Sequence, residues 1–556
     1  MEKKALLAFV LSFMVLFLWE MYFGSTRNQQ TTSPQQSQAP APPASPSPQT
    51  GAASPQATGP VAPGALPQDR PLDLGRISAS WTVDSPLYAL QVHDSGGRIL
   101  GFELKNFKES AGPDAPPMEL IPTRSLGYLP LAVDSLRHPE WQLSTRKFTS
   151  EAPREITLSP GESSKSFTIS TEVPGQARLS KTFTFLPDSY AIDLTLKFEN
   201  LTSEPMADQL GVSFYYMPYS VKEDSYNLSN LAVYRLGSLE QFPLKDLVKT
   251  DPTFTSPYGW VGYQNNYFLD AFVPLDESPS QVKPRTLDAG RGLIQTVYLT
   301  EPFEVPGNQE RALQMRLYLG PKELNRLREA GHDLVKSVDY GWFGFLARPL
   351  VDVLKWLNGY FHNYGVAIII LTIIIKIVFW PLTHKSYKSM QMMKKLQPKI
   401  NQVREKYKDD REKLNQELMM LYRTYKVNPL GGCLPMVLQI PVFFALYRML
   451  SNSVELLHEP FALWIHDLTA PDRLYVGFDI PYLGGLPVLT ILMGVTMFIQ
   501  QKMTPSTGDP RQEKIMLLMP VMFTFFFFNF PAGLVLYWLV NNVLSIAQQY
   551  WINRSV

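Results

Sequence analysis

The chain of 556 residues has a single cysteine, Cys433, so no intramolecular disulfide framework can staple it. Its seven histidines are scattered and form neither a His-Glu-x-x-His pair nor a Cys/His ligand spacing, so no metal site is expected. There is no phosphate-cradling glycine loop, no Gly-x-Ser-x-Gly elbow and no dinucleotide fingerprint, and no cofactor or catalytic set follows from the sequence. Net charge is +1, so bulk charge selects neither nucleic acid nor any other partner. The long apolar runs after residue 362 contain no Asp or Glu, which argues against an ion-coupled transporter.

The apolar runs themselves come next. Lys3 and Lys4 precede one over residues 5–23 that lacks a small-x-small cleavage site, which predicts an uncleaved signal anchor over residues 1–24 with its N-terminus in the cytoplasm. Residues 25–70 are rich in Pro, Ala, Ser, Gln and Gly and bury too little to fold, so they read as a disordered tether. Residues 71–340 alternate with period two. Ile192, Leu194, Leu196 and Phe198 form one such run, and Leu313, Met315, Leu317 and Leu319 form another. This predicts a large antiparallel β-sandwich on the far side of the membrane.

Over residues 341–361, Phe343, Leu346, Leu350, Leu354, Leu357 and Phe361 share one face and Arg348, Asp352 and Lys355 the other, the pattern of a helix lying in the membrane interface. Residues 362–556 then hold five spans, which with the anchor make six and place both termini in the cytoplasm. A basic hairpin interrupts them at residues 384–428. Its narrow apolar seams predict two antiparallel helices, and Pro398 is expected to interrupt and kink the first. Met390, Met392, Met419 and Met420 offer an adaptable apolar surface there, and the kink at Pro398 suggests a mobile element that receives substrates.

Lys376 lies inside the first of the five spans, where insertion of a lysine costs roughly 2.5–3.5 kcal/mol. Thr372 and Thr383 share its helix face. Tyr537, Asn541, Ser545 and Gln548 make a second polar stripe in the last span, and Gln439 adds an isolated polar group in another. Two readings stand. Lys376 snorkels to the nearby interface and the stripes are interhelical glue, or the stripes line a wet groove that admits a polar segment. A second functional class, a transporter or receptor with a ligand-binding sandwich, would need coupling carboxylates or a built ligand site.

Several motifs resemble the YidC membrane-protein insertase family of Gram-negative bacteria: NPLGGCLP (428–435), PFALWIHDL (460–468), LPVLTILMGVTMFIQQKMTP (486–505) and FPAGLVLYW (530–538). The resemblance implies a mixed fold, a polytopic α-helical bundle plus a periplasmic β-sandwich of galactose-mutarotase-like type. It implies a non-enzymatic insertase and chaperone of the inner membrane, with a hydrophilic groove open to cytoplasm and lipid. Its partners would be nascent membrane proteins, the Sec translocon including SecYEG and SecDF, the ribosome or signal recognition particle receptor, and the lipid bilayer. The groove charge is usually arginine in the family, and Lys376 stands in its place. Thr372 matches the family's substrate-contacting threonine, and Tyr537 and the adjacent Trp538 share the position of its aromatic partner.

Overall fold

The computed structural model describes residues 66–67, 71–74, 80–219, 229–247, 252–408, 410–425, 427, 434–478, 480, 483–504 and 510–555. The anchor at 1–24, nearly all of the 25–70 tether, Cys433 and most of the NPLGGCLP motif lie outside them.

The two alternating runs singled out in the sequence pair with each other. Ala191–Asn200 lies antiparallel to Glu310–Pro321, with Leu196 opposite Leu313 and Leu194 opposite Met315. Their apolar side chains thereby fall on one face and are buried, because successive residues of a strand alternate faces. These strands sit inside an eight-stranded sheet that ends in the Lys165–Val173 and Ala177–Phe185 hairpin. Two five-stranded sheets cover it. Phe214 of one stacks on Phe272 of the large sheet with centroids 4.5 Å apart, and Trp81 of the other meets Phe167 at 6.3 Å. Pairing is not wholly antiparallel: Ser80–Asp84 runs parallel to Glu155–Thr157. A long excursion separates those strands, which leaves the chain free to return in the same direction.

Seven helices of the C-terminal part concern function: α1 (Gly344–Phe361), α2 (Tyr364–Lys406), α3 (Arg411–Thr424), α4 (Leu434–Asn452), α5 (Val488–Met503), α6 (Pro510–Phe527) and α7 (Ala532–Ser555). Asn363 caps α2 by accepting from Val366 N at 3.0 Å, and Asp410 caps α3 by accepting from Lys413 N at 3.1 Å. Among the described residues, α2 alone is long and apolar enough to cross a membrane by length and composition, while α5 and residues 516–527 are apolar over shorter lengths.

Two expectations need correction. Pro398 does not interrupt its helix: α2 continues through Pro381 and Pro398 to Lys406. Pro398 and Lys394 are both exposed, so the carbonyl that loses its amide partner faces outward. The spanning segment and the first hairpin helix are therefore one continuous helix. The buried face of α1 is also different. Ala347, Val351, Leu354 and Leu357 are buried, whereas Phe361 is exposed together with Phe345, Trp356 and Tyr360. One side packs against α2 and α4, with Phe343 stacked on Phe444 just before it, and the exposed side carries Arg348 and Asp352 together with the aromatics.

Candidate functional site: a polar seam between α2 and α7

Helices α2 and α7 meet along a line of side-chain hydrogen bonds. Lys376 Nζ donates to Ser545 Oγ at 2.7 Å, and Ser545 Oγ donates to Asn541 O at 2.7 Å. One turn or more further on, Gln548 Nε2 donates to Thr383 Oγ1 at 2.8 Å, and Thr383 donates to Phe379 O at 3.0 Å. Beyond that, Gln391 Nε2 donates to Asn553 Oδ1. Residue numbers rise together on both helices, so the two run parallel and the rungs form a ladder. Ser545 and Gln548 are buried, and Lys376 is half-buried.

Outside the ladder the surface is apolar. Ile373, Ile374, Ile377 and Val378 of α2 are exposed, as are Val495 and Phe498 of α5 and Val521 and Phe525 of α6. A belt of exposed aliphatic and aromatic side chains around a polar seam suits a lipid surround. The chemistry available is that of donors and acceptors that can be exchanged for those of another chain. Among the described residues no group of three or more His, Cys, Asp or Glu is placed to hold a metal.

The remaining candidates are placed as follows. Thr372 is 1% exposed and donates to Ile368 O of its own helix at 2.7 Å, so its hydroxyl is spent locally. Tyr537 is 1% exposed and accepts from Gln439 Nε2, tying α7 to α4. Trp538 packs its ring on Phe443 at 4.8 Å and Phe527 at 5.3 Å. Asn541 contributes its backbone carbonyl to the seam. The stripe read from the sequence therefore divides: Tyr537 faces α4, while Ser545 and Gln548 face α2.

A second polar line of α7 was missed. Asn542 donates to Thr496 Oγ1 at 3.3 Å, and Gln549 Nε2 donates to Met503 O at 2.9 Å, both toward α5. The seven-residue spacing of two buried amides is the signal that marks it.

In the hairpin, Leu396, Ile400 and Val427 form a small core with Met392, Met393, Leu418, Leu421 and Tyr422 around it. Met392 is thus part of the seam and not an open contact surface. Met390 is also corrected: it is buried with Tyr387 and Ile552, against the end of α7. Met419 and Met420 are exposed, and so is Pro398.

Relatives fix what this architecture belongs to. The family described as "60Kd inner membrane protein" matches residues 356–556, and "YidC periplasmic domain" matches residues 80–353. A membrane protein insertase YidC of Syntrophobacter fumaroxidans is 57% identical over 566 residues, covering 100% of both chains. The chain belongs to the YidC family. The YidC insertase of Syntrophus aciditrophicus is 40% identical over 565 residues, again covering 100% of both chains. A crystal structure of an active YidC insertase with its first transmembrane domain resolved aligns at 21% identity and a TM-score of 0.36, covering 86% of this chain and 96% of that one. The sheets lie within the match to the YidC periplasmic domain and form that domain. The two family matches meet inside α1, which joins the sandwich to the helical region.

Proposed function

We propose that this chain is a membrane protein insertase and chaperone that admits nascent segments along the α2–α7 seam. It spans the inner membrane six times, with both termini and the α2–α3 hairpin in the cytoplasm. The carrying observation is the Lys376–Ser545 rung: one cation held by one hydroxyl, in an apolar helix bundle, beside exposed aliphatic side chains. A single neutral acceptor is easily replaced by a carboxylate of an incoming segment, because a charged partner binds an ammonium more strongly.

The full-length relatives named as insertases support the same reading. Insertion here is exchange of hydrogen bonds and lipid contacts, with no bond made or broken, so the reading is not an enzymatic one. The exposed Met419 and Met420 receive the segment first, and the seam parts to reach Thr372, Tyr537 and Trp538 behind it. Smaller substrates pass alone; larger ones pass beside the Sec translocon, including SecYEG and SecDF, with the ribosome or signal recognition particle receptor delivering them. The periplasmic sandwich, of mutarotase-like type, is a docking body.

The test is photocrosslinking from Lys376, Ser545 and Trp538 to a ribosome-bound nascent membrane protein. Crosslinks from all three positions, lost when the nascent segment is made polar, are expected. Crosslinks that appear only from exposed positions such as Val378 would place the substrate in lipid and sink the seam as its route.

A further inference from the structure

The segment after α4 folds back over the bundle at the end opposite the hairpin, and its hydrogen bonds reach four helices. Phe461 O accepts from Asn363 Nδ2 at 2.8 Å at the start of α2, where a side chain on Gly365 would collide with the Phe461 ring. Leu468 O accepts from Gly533 N at 2.9 Å in the first turn of α7. Asp472 is 2% exposed: its Oδ2 accepts from Thr490 N at 3.1 Å in the first turn of α5, and its Oδ1 accepts from Trp464 Nε1 at 2.7 Å. The next residue reaches a different helix. Arg473 Nη1 donates to Phe528 O at 2.8 Å, just beyond α6, and Nη2 donates to Asn529 Oδ1 at 3.0 Å.

We infer that Asp472 and Arg473 are the clasp that ties α5 to the α6–α7 turn and holds the far end of the bundle shut. They are positioning residues, since neither touches the seam. The argument is one of connectivity and cost. A buried carboxylate is retained only where its acceptors are filled, and here the two acceptors fix α5 and the Trp464 ring. A guanidinium presents a rigid fork of donors, and here the fork holds the α6–α7 turn. Adjacent residues therefore couple α5 to the α6–α7 turn through one short backbone link, while Leu468 and Phe461 hold α7 and α2 under the same segment. Loss of the Asp472 side chain leaves Thr490 N and Trp464 Nε1 unpaired in a buried site, and loss of the Arg473 side chain frees the α6–α7 turn from the segment.

The consequence for insertion rests on the function proposed above; the clasp itself does not. Ile368 reports on it, being 2% exposed and on the same side of Gly533 as Leu468 O: a side chain on Gly533 would lie 3.3 Å from both Ile368 Cδ1 and Leu468 O. With Cys433→Ser as background, Ile368→Cys is labelled in spheroplasts by a membrane-impermeant maleimide added outside. Labelling is expected to be slow in the otherwise unchanged chain and to rise at least about tenfold with Arg473→Ala, which loses both guanidinium hydrogen bonds to the α6–α7 turn. Arg473→Lys restores part of the protection, and Asn529→Ala, which removes one acceptor at the surface, gives a smaller rise. Each variant is first checked for its level in the membrane and its thermal unfolding in detergent. Unchanged labelling in well-folded Arg473→Ala and Asn529→Ala overturns the clasp. Insertion yield is read in parallel: a fall that tracks the labelling supports the seal as part of insertion, and raised labelling with undiminished insertion overturns that role. Should the unaltered chain insert nothing, the labelling result still decides the clasp.

Discussion

The sandwich encloses Lys181 and the helical region half-buries Lys376, and the two regions treat these lysines differently. Lys181 of the sandwich is 0% exposed, and its ammonium donates to three carbonyls, Gly96 O, Gly97 O and Leu131 O, at 2.7, 3.1 and 2.6 Å. All three donors are used, and the partners are backbone atoms that cannot swing away. Lys376 of the helical region donates to Ser545 Oγ, a hydroxyl on a rotatable side chain. The first cation is enclosed and built into a fixed scaffold. The second is held loosely at a seam.

The largest expected effect comes from breaking the enclosed site. Lys181→Met orphans three carbonyls, and the sandwich should lose about 3–5 kcal/mol of stability. Denaturant unfolding followed by the sandwich tryptophans reads this, and insertion by the protein that remains folded should be unaffected. Equal loss of insertion per folded molecule would erase the contrast between the two lysines.

Lys376→Glu is next. It leaves the fold intact and should depress insertion at least about tenfold for substrates with acidic translocated tails, since attraction becomes repulsion in a low-dielectric site. Lys376→Arg keeps the charge and should stay within about twofold. Single-span substrates with graded tail charge separate the outcomes, and an equal effect of Lys376→Glu on acidic and neutral tails would show that the lysine only snorkels.

A third cation sharpens the sandwich side. Lys322 is 5% exposed and donates to Gln264 Oε1 and Asn265 O, both at 3.1 Å, and burial brings its ammonium down to about 7, with Asp339 opposing weakly. The unfolded chain then binds more protons than the folded one between about pH 7 and 10, so this group makes stability rise with pH across that window. Melting temperature should climb by a few degrees relative to Lys322→Met over the same range, and parallel pH profiles would refute the assignment.

The smallest effect belongs to removal of the sandwich. Deleting residues 71–320 leaves α1, its Lys355–Glu455 ion pair and the helical bundle in place. Insertion of small substrates should stay within about twofold in a complementation assay, because no rung of the seam comes from the sheets. Complete loss at normal expression would make the sandwich part of the machine.

The strands were legible because two-residue alternation admits one solution: Ile192 to Phe198 and Leu313 to Leu319 can both be buried only on one face of a sheet. In α1 the spacing rightly put Leu354 and Leu357 on the buried face, but Phe345, Trp356, Tyr360 and Phe361 stand exposed beside Arg348 and Asp352, because an aromatic ring at a membrane-facing position need not pack on protein. Met390 and Met392 look alike in sequence to Met419 and Met420, yet the first pair is packed and the second exposed. Helical spacing gives faces, not partners.

The sequence by itself determined the composition of this protein's parts: the sheet pattern, the basic hairpin, the lysine in an apolar run and the stripe on α7. Each follows from local periodicity and from the cost of placing charge in hydrocarbon, which are properties of a single element. Only the tertiary structure decided that Lys376 meets Ser545, that Tyr537 turns to Gln439, and that Asp472 and Arg473 reach different helices. Those contacts join residues 55 to 169 positions apart or, for Asp472 and Thr490, a helix to the loop before it. They depend on how rods of fixed geometry pack against one another, and that is set by the sum of many weak contacts that no single stretch of sequence carries.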